Sequence, residues 1–119
     1  KDNVILDMHL YQAFDEKFSQ ASLVDNVEYA LHHYDFIQDV SKYVRVIIGE
    51  WSLGIDPTIF EPLDTFNKHL ALRTFASSQL LAFEKAHGWV FWNYKIENYP
   101  SGWNFRRLVD ETILPPNYR

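Results

Sequence analysis

Three short runs of apolar residues alternate with two stretches in which apolar residues recur every three or four positions. The runs cover residues 4–9 (Val-Ile-Leu-Asp-Met-His), 44–50 (Val-Arg-Val-Ile-Ile-Gly-Glu) and 88–94 (Gly-Trp-Val-Phe-Trp-Asn-Tyr). Their β-branched and aromatic content predicts strands. The second is the most apolar, as expected of a strand covered on both faces. Between the first two, Leu23, Val27, Ala30, Leu31, Tyr34, Ile37 and Val40 form a helical stripe. Ser22 followed by Asp25 has the spacing of a capping box, with Asp in place of Glu. A second helix is predicted over residues 64–87, with Leu72, Phe75, Ala76, Leu80 and Phe83 as its stripe and Gly88 as its terminal glycine. The glycine and two prolines of residues 54–62 argue against helix there. The Leu114-Pro115-Pro116-Asn117 tail is expected on the surface.

Strand, helix, strand, helix, strand in that order predicts an α/β fold with a parallel sheet and right-handed crossovers. Strand starts lie about 40 residues apart, longer than the roughly 30 of a (β/α)8 barrel unit but within the reach of insertions. At 119 residues the chain holds one domain. No apolar run approaches the length of a bilayer span. The first apolar stretch, residues 4–6, is too short for a secretory signal and begins as if the chain were entered in mid-fold.

Charge narrows the partners. Eleven basic against sixteen acidic side chains give a net charge of −5, which disfavours nucleic acid and anionic membrane surfaces. With no cysteine, thiol catalysis and cysteine-ligated zinc are excluded. No histidine pair has metal-ligand spacing, and neither a phosphate loop nor a serine nucleophile elbow occurs, so no cofactor or metal is expected. His32, His33, His69 and His87 fall in the predicted helices and are expected to be exposed or capping. Arg106-Arg107 is expected to be a solvated pair. Aromatic residues reach 17%, and all four Trp lie from Trp51 onward. Such a content suits either a large aromatic core or a sugar-binding groove lined with flat rings.

Functional groups of parallel α/β folds collect at the C-terminal ends of strands. Here those ends read His9-Leu10-Tyr11, Gly49-Glu50-Trp51-Ser52 and Trp92-Asn93-Tyr94-Lys95. Glu50 closes an apolar run, so its carboxylate needs either partners or a function. Pairing with a nearby cation or capping the next element is the structural alternative. A lone His9 could equally be hydrogen-bonded structure, and Trp92 could be core. Their coincidence at matching strand ends favours a common site.

These segments resemble glycoside hydrolase family 5, most of all its exo-β-1,3-glucanases. Residues 4–14 are similar to that family's sixth-strand segment with its His-x-Tyr pair, His9 and Tyr11 here. Ile48-Gly-Glu-Trp-Ser52 is similar to the seventh-strand segment, and residues 88–98 to the eighth. Trp103-Asn-Phe105 onward to Pro115 is similar to the closing stretch. The resemblance implies residues 1–119 as the last three βα units, strands six to eight, of a (β/α)8 barrel, incomplete on their own. It implies Glu50 as catalytic nucleophile, His9 and Tyr11 around the cleavage subsite, and Trp92 as its aromatic floor. It places Trp51, Glu97 and Asn98 at the rim. It further implies retaining hydrolysis of β-1,3-glucan in a secreted or cell-wall setting, with cellulase or mannanase activity as alternatives. Leu10 departs from a position where the family often has a second polar residue.

The family's acid/base Glu follows an Asn, and no Asn-Glu pair occurs in this chain. Glu28, in the first predicted helix, and Glu97, beyond the third strand, are poor substitutes. Hydrolysis is therefore expected only of a complete barrel, with the missing N-terminal part or another chain as partner. A non-catalytic glucan-binding or assembly fragment is the other reading.

Overall fold

The computed structural model describes residues 3–116. Its elements are β1 (Ile5–Leu10), α1 (Leu23–Val40), β2 (Arg45–Trp51), α2 (Thr65–Phe83), β3 (Gly88–Phe91) and α3 (Phe105–Asp110). Single 3-10 turns occupy Glu16–Phe18, Pro57–Phe60 and Ser101–Trp103. The strands form one parallel sheet in the order β1-β2-β3, as the alternation of elements predicts. Among the described residues, no helix is long and apolar enough to cross a membrane.

Local chemistry sets the helix starts. The Ser22 side chain accepts from the Asp25 N–H at 3.1 Å, and the Asp25 carboxylate accepts from the Ser22 N–H at 2.8 Å. This is the predicted reciprocal cap. Asp64 caps α2 through the Asn67 N–H at 2.8 Å. The far end of α2 differs from the sequence expectation. The helix stops at Phe83 with Glu84 as its C-cap, and Gly88 opens β3 instead of ending the helix. No positive-φ glycine occurs among the described residues, so Gly88 does not supply the left-handed turn expected of it. Pro57–Phe60 forms a turn of helix where none was expected. Pro57 stands in its first turn and Asp56 accepts from the Thr58 N–H at 2.9 Å. One turn is too short for an apolar period to register.

α1 and α2 pack on the same face of the sheet, and the core lies between them and it. β2 contributes Val46, Ile48 and Trp51; α1 contributes Ala30 and Ile37; α2 contributes Leu72, Phe75, Ala76, Leu80 and Phe83. The stripe read from α2 is thus its buried face. On α1 the buried arc runs through Asn26, Ala30 and Ile37, with His33 half-buried on the same spacing. Leu31, one residue off that arc, remains 38% exposed.

The tail also departs from expectation. Asn104 caps α3, and the Ile113 and Leu114 N–H groups both donate to the Leu108 carbonyl. Ile113 and Leu114 are buried, while Pro115 and Pro116 are exposed; Asn117 lies outside the described residues. Burial of two large apolar side chains holds this stretch against the core, and the chain turns outward only at the prolines. Arg106 and Arg107 are exposed as expected, each facing an acid one turn on, Asp110 and Glu111.

Two of the helix histidines are neither exposed nor capping: His69 is half-buried inside α2, 3.9 Å from Glu111, and His33 is half-buried among aromatic rings. His33 sits 5.1 Å from the Tyr29 ring and 6.4 Å from the Phe83 ring, and its Nδ1 is buried with no partner among the described residues. Burial lowers its pKa, and the nearby His32 and Lys17 charges lower it further. The unfolded chain takes up this proton first, near pH 6.5. The stabilisation is therefore complete above about pH 6.5 and is lost as pH falls through the lower folded value. Thermal melts from about pH 5 to 8 should show a midpoint falling on the acid side. His33→Phe, which keeps a ring, should flatten that fall. An unchanged profile in the variant would remove His33 as its source.

Candidate active site

One face of the sheet carries the helices; the other is open. Strand alternation places Ile5, Asp7 and His9 of β1 on the open face, with Ile47 of β2 and Val90 of β3. Ile5 is 54% and Val90 55% exposed, so this face carries uncovered apolar surface around its polar groups.

A bulge decides where Glu50 points. β1 and β2 pair as Met8↔Ile48 and then His9↔Glu50, so Gly49 is the extra residue. β2 and β3 show the same interruption, from Ile48↔Trp89 to Trp51↔Phe91. Regular alternation would have sent Glu50 to the helix side with Val46 and Ile48. The inserted residue turns Glu50 to the open face and returns Trp51 to the core. Trp51 is fully buried and packs edge-on against Phe83, Trp89 and Phe91 at 5.0–5.3 Å. The expectation of Trp51 at a substrate rim is therefore corrected: it is a core residue, placed there by the bulge.

Three expected site residues meet on the open face. The Tyr11 hydroxyl donates to Glu50 Oε2 at 2.6 Å. His9 Nδ1 lies 3.7 Å from the same oxygen. Burial, followed by the hydrogen bond to Glu50 and that carboxylate's charge, raises the Tyr11 pKa well above the ordinary phenol range. Tyr11 therefore stays protonated and acts as a donor. Trp92 follows β3, with its N–H donating to the Trp51 carbonyl at 2.8 Å, so its backbone lies one residue from Glu50. Its side chain is 49% exposed. Glu97 and Asn98 fall on the next loop. Glu97 is exposed and pairs with Lys95 at 3.3 Å, and Asn98 adopts a left-handed φ of 55°. Neither is brought to Glu50 by any contact among the described residues.

Sequence reasoning missed the residues that hold the site in place. Trp103 stacks on Tyr11 with centroids 5.5 Å apart, and Phe14 meets both rings at 5.4–5.5 Å. Trp103 fits closely because Gly54 has no side chain; a Cβ there would run into the indole. The Leu53 N–H donates to the Gly102 carbonyl at 2.9 Å, and the Asn93 N–H to the Trp103 carbonyl at 3.1 Å. Buried Gln79 donates to the Ser52 carbonyl at 3.0 Å, fixing the turn after Glu50. Asp7 accepts from His9 Nε2 at 3.0 Å. Its two-residue spacing from His9 was the one sequence signal for any of these contacts. Beside Tyr11 opens a cleft of about 780 Å³ whose lining includes Phe14, Tyr99, Trp103, Asp56 and Lys68. Among the described residues, no group of three or more His, Asp or Glu could hold a metal ion.

The arrangement presents a carboxylate held by a phenol donor, flanked by an imidazole, on an aromatic surface at the strand ends. This chemistry suits nucleophilic attack on, or charge stabilisation of, a bound sugar. Comparison with known proteins finds relatives named for action on glucans. A glucan 1,3-beta-glucosidase of Blumeria graminis is 28% identical over 96% of this chain and 34% of its own length. Glucan 1,3-beta-glucosidase 1 of Schizosaccharomyces pombe is 28% identical over 95% of this chain and 31% of its own. This chain resembles the glucan 1,3-β-glucosidases along nearly its whole length. Glucan endo-1,6-beta-glucosidase B of Emericella nidulans is 35% identical over a shorter stretch, 58% of this chain and 17% of its own. The chain thus spans about a third or less of the length of these relatives. No protein-family model matches it. Three parallel βα units in sequential order, similar to a third of such proteins, fit part of a (β/α)8 barrel.

Proposed function

We propose that this chain supplies the nucleophile side of a retaining β-glucan hydrolase, with Glu50 as nucleophile, acting on β-1,3-linked glucose. The observation that carries the reading is the Tyr11–Glu50 hydrogen bond of 2.6 Å at adjacent strand ends on the open face. In the first step Glu50 attacks the anomeric carbon while an acid protonates the leaving oxygen; in the second, water releases the sugar from Glu50. Tyr11 orients the carboxylate. Trp92 offers its ring to the apolar face of the sugar.

A retaining mechanism needs a second carboxyl group about 5 Å from the first. Asp7 shares the open face but is engaged with His9, and Glu97 is engaged with Lys95. The acid/base group therefore belongs to the rest of a complete barrel, which would also cover Ile5 and Val90 and pair the free edges of β1 and β3. The isolated chain is then inactive.

A β-1,6-glucan substrate is the second reading, favoured by the higher identity to relatives named glucan endo-1,6-beta-glucosidases. Hydrolysis assays on both glucans separate the two linkages. Incubating the complete polypeptide with a 2-fluoro glucosyl substrate tests the mechanism, because a slow second step traps the covalent intermediate. Peptide mass mapping should place the sugar on Glu50. Label on another carboxylate, or turnover with inversion, would overturn the reading.

A further inference from the structure

The backing of His9 carries an inference that rests on the glycosidase reading and deepens it. His9 Nε2 lies 3.0 Å from Asp7 Oδ2, while Nδ1 faces Glu50 across 3.7 Å, too long for a hydrogen bond. A carboxylate only accepts, so Asp7 assigns a proton to Nε2, and in the neutral imidazole the lone pair is then on Nδ1. The Asp7 carboxylate occupies the space where a side chain on Gly49 would begin: a Cβ at Gly49 would collide with it. Gly49 is also the extra residue of the bulge that aims Glu50. The bulge, the missing side chain and the carboxylate are therefore parts of one arrangement.

We propose that Asp7 is a positioning residue for His9, seated in the space Gly49 leaves, so that His9 presents Nδ1 as an acceptor for a sugar hydroxyl beside Glu50. The gap between Nδ1 and Glu50 leaves that lone pair free for the hydroxyl. A solvated Asp-His pair without a role is the competing explanation, since both side chains are about half exposed. It predicts that nothing at Glu50 depends on Asp7.

The test uses the complete polypeptide with 15N-labelled histidine. Wild type should show a His9 Nε2–H proton shifted by hydrogen bonding and slow to exchange. Asp7→Leu should lose that signal and lower kcat on a soluble β-glucan oligosaccharide roughly 10- to 100-fold, the range for one hydrogen bond to a charged group. Asp7→Asn, which keeps an acceptor oxygen, should restore most of both. Gly49→Ala should resemble Asp7→Leu, because it displaces the carboxylate. In an Asp7→Gly background Gly49→Ala should cost nothing further, since nothing remains to displace. A His9 signal unaltered in Asp7→Leu, or an equal Gly49→Ala loss in both backgrounds, would overturn the proposal. Failure to hydrolyse any β-glucan would instead remove the enzymatic reading, and the His9 signal would still show whether Asp7 holds the ring.

Discussion

Glu50→Gln is expected to lower β-1,3-glucan hydrolysis by the complete polypeptide by roughly 1,000-fold or more, the scale of losing a covalent nucleophile. Gln matches Glu in size, and its amide oxygen can accept the Tyr11 hydroxyl that Glu50 accepts at 2.6 Å. The fold should therefore be preserved, with an unchanged thermal midpoint. Glucan binding should survive, because the ring surface of Trp92 and the Tyr11 group remain. Tyr11→Phe should give a smaller loss, about 10- to 100-fold, from one hydrogen bond to a charged group. The order of the two effects matters as much as their size. If Tyr11→Phe were the more damaging, the phenol and not the carboxylate would be the central group. If Glu50→Gln retained full activity, Glu50 would be a structural acceptor for Tyr11 and the nucleophile would lie elsewhere in the barrel.

The sequence disclosed what depends on local periodicity. The α2 stripe and the Ser22–Asp25 cap follow from spacings of three or four residues, and the three parallel strands from short β-branched and aromatic runs between helices; the structure agrees with them. Strand-end logic also placed His9, Tyr11 and Glu50 on one rim, and in the structure His9 and Tyr11 each lie beside Glu50. What stayed hidden depends on single insertions and on contacts between distant segments. The Gly49 bulge changes the facing of every later residue in β2, and no periodicity reveals one extra residue in a seven-residue strand. Trp103 was visible only as part of a closing stretch. Its stacking on Tyr11 joins residues 92 positions apart through the Gly54 gap. The sequence predicts an exposed or capping His33 because its helix face is set by Asn26, a polar residue that the apolar stripe omits. Asn26 is buried by accepting from the Gln12 side chain at 2.9 Å.

The two tryptophans of the strand ends should respond to alanine in opposite ways. Trp51→Ala should destabilise by about 3–5 kcal/mol, the cost of emptying a large buried aromatic site. That is a substantial share of the roughly 5–15 kcal/mol that holds an ordinary domain together. Trp51 is fully buried, edge-on to three other rings, so its neighbours have no slack with which to close the cavity. Trp51→Phe should cost less. It keeps a ring in place and removes an indole N–H that has no partner among the described residues. Trp92→Ala removes a half-exposed side chain on the open face and should leave the denaturation midpoint nearly unchanged while weakening glucan binding. Denaturant titration and oligosaccharide affinity, measured on both variants, decide the matter. A stable Trp51→Ala protein that had lost only glucan affinity would return Trp51 to the rim and remove the bulge as the device that aims Glu50. A Trp92→Ala protein that unfolded early but bound glucan normally would make Trp92 a packing residue, and the sugar would need another floor.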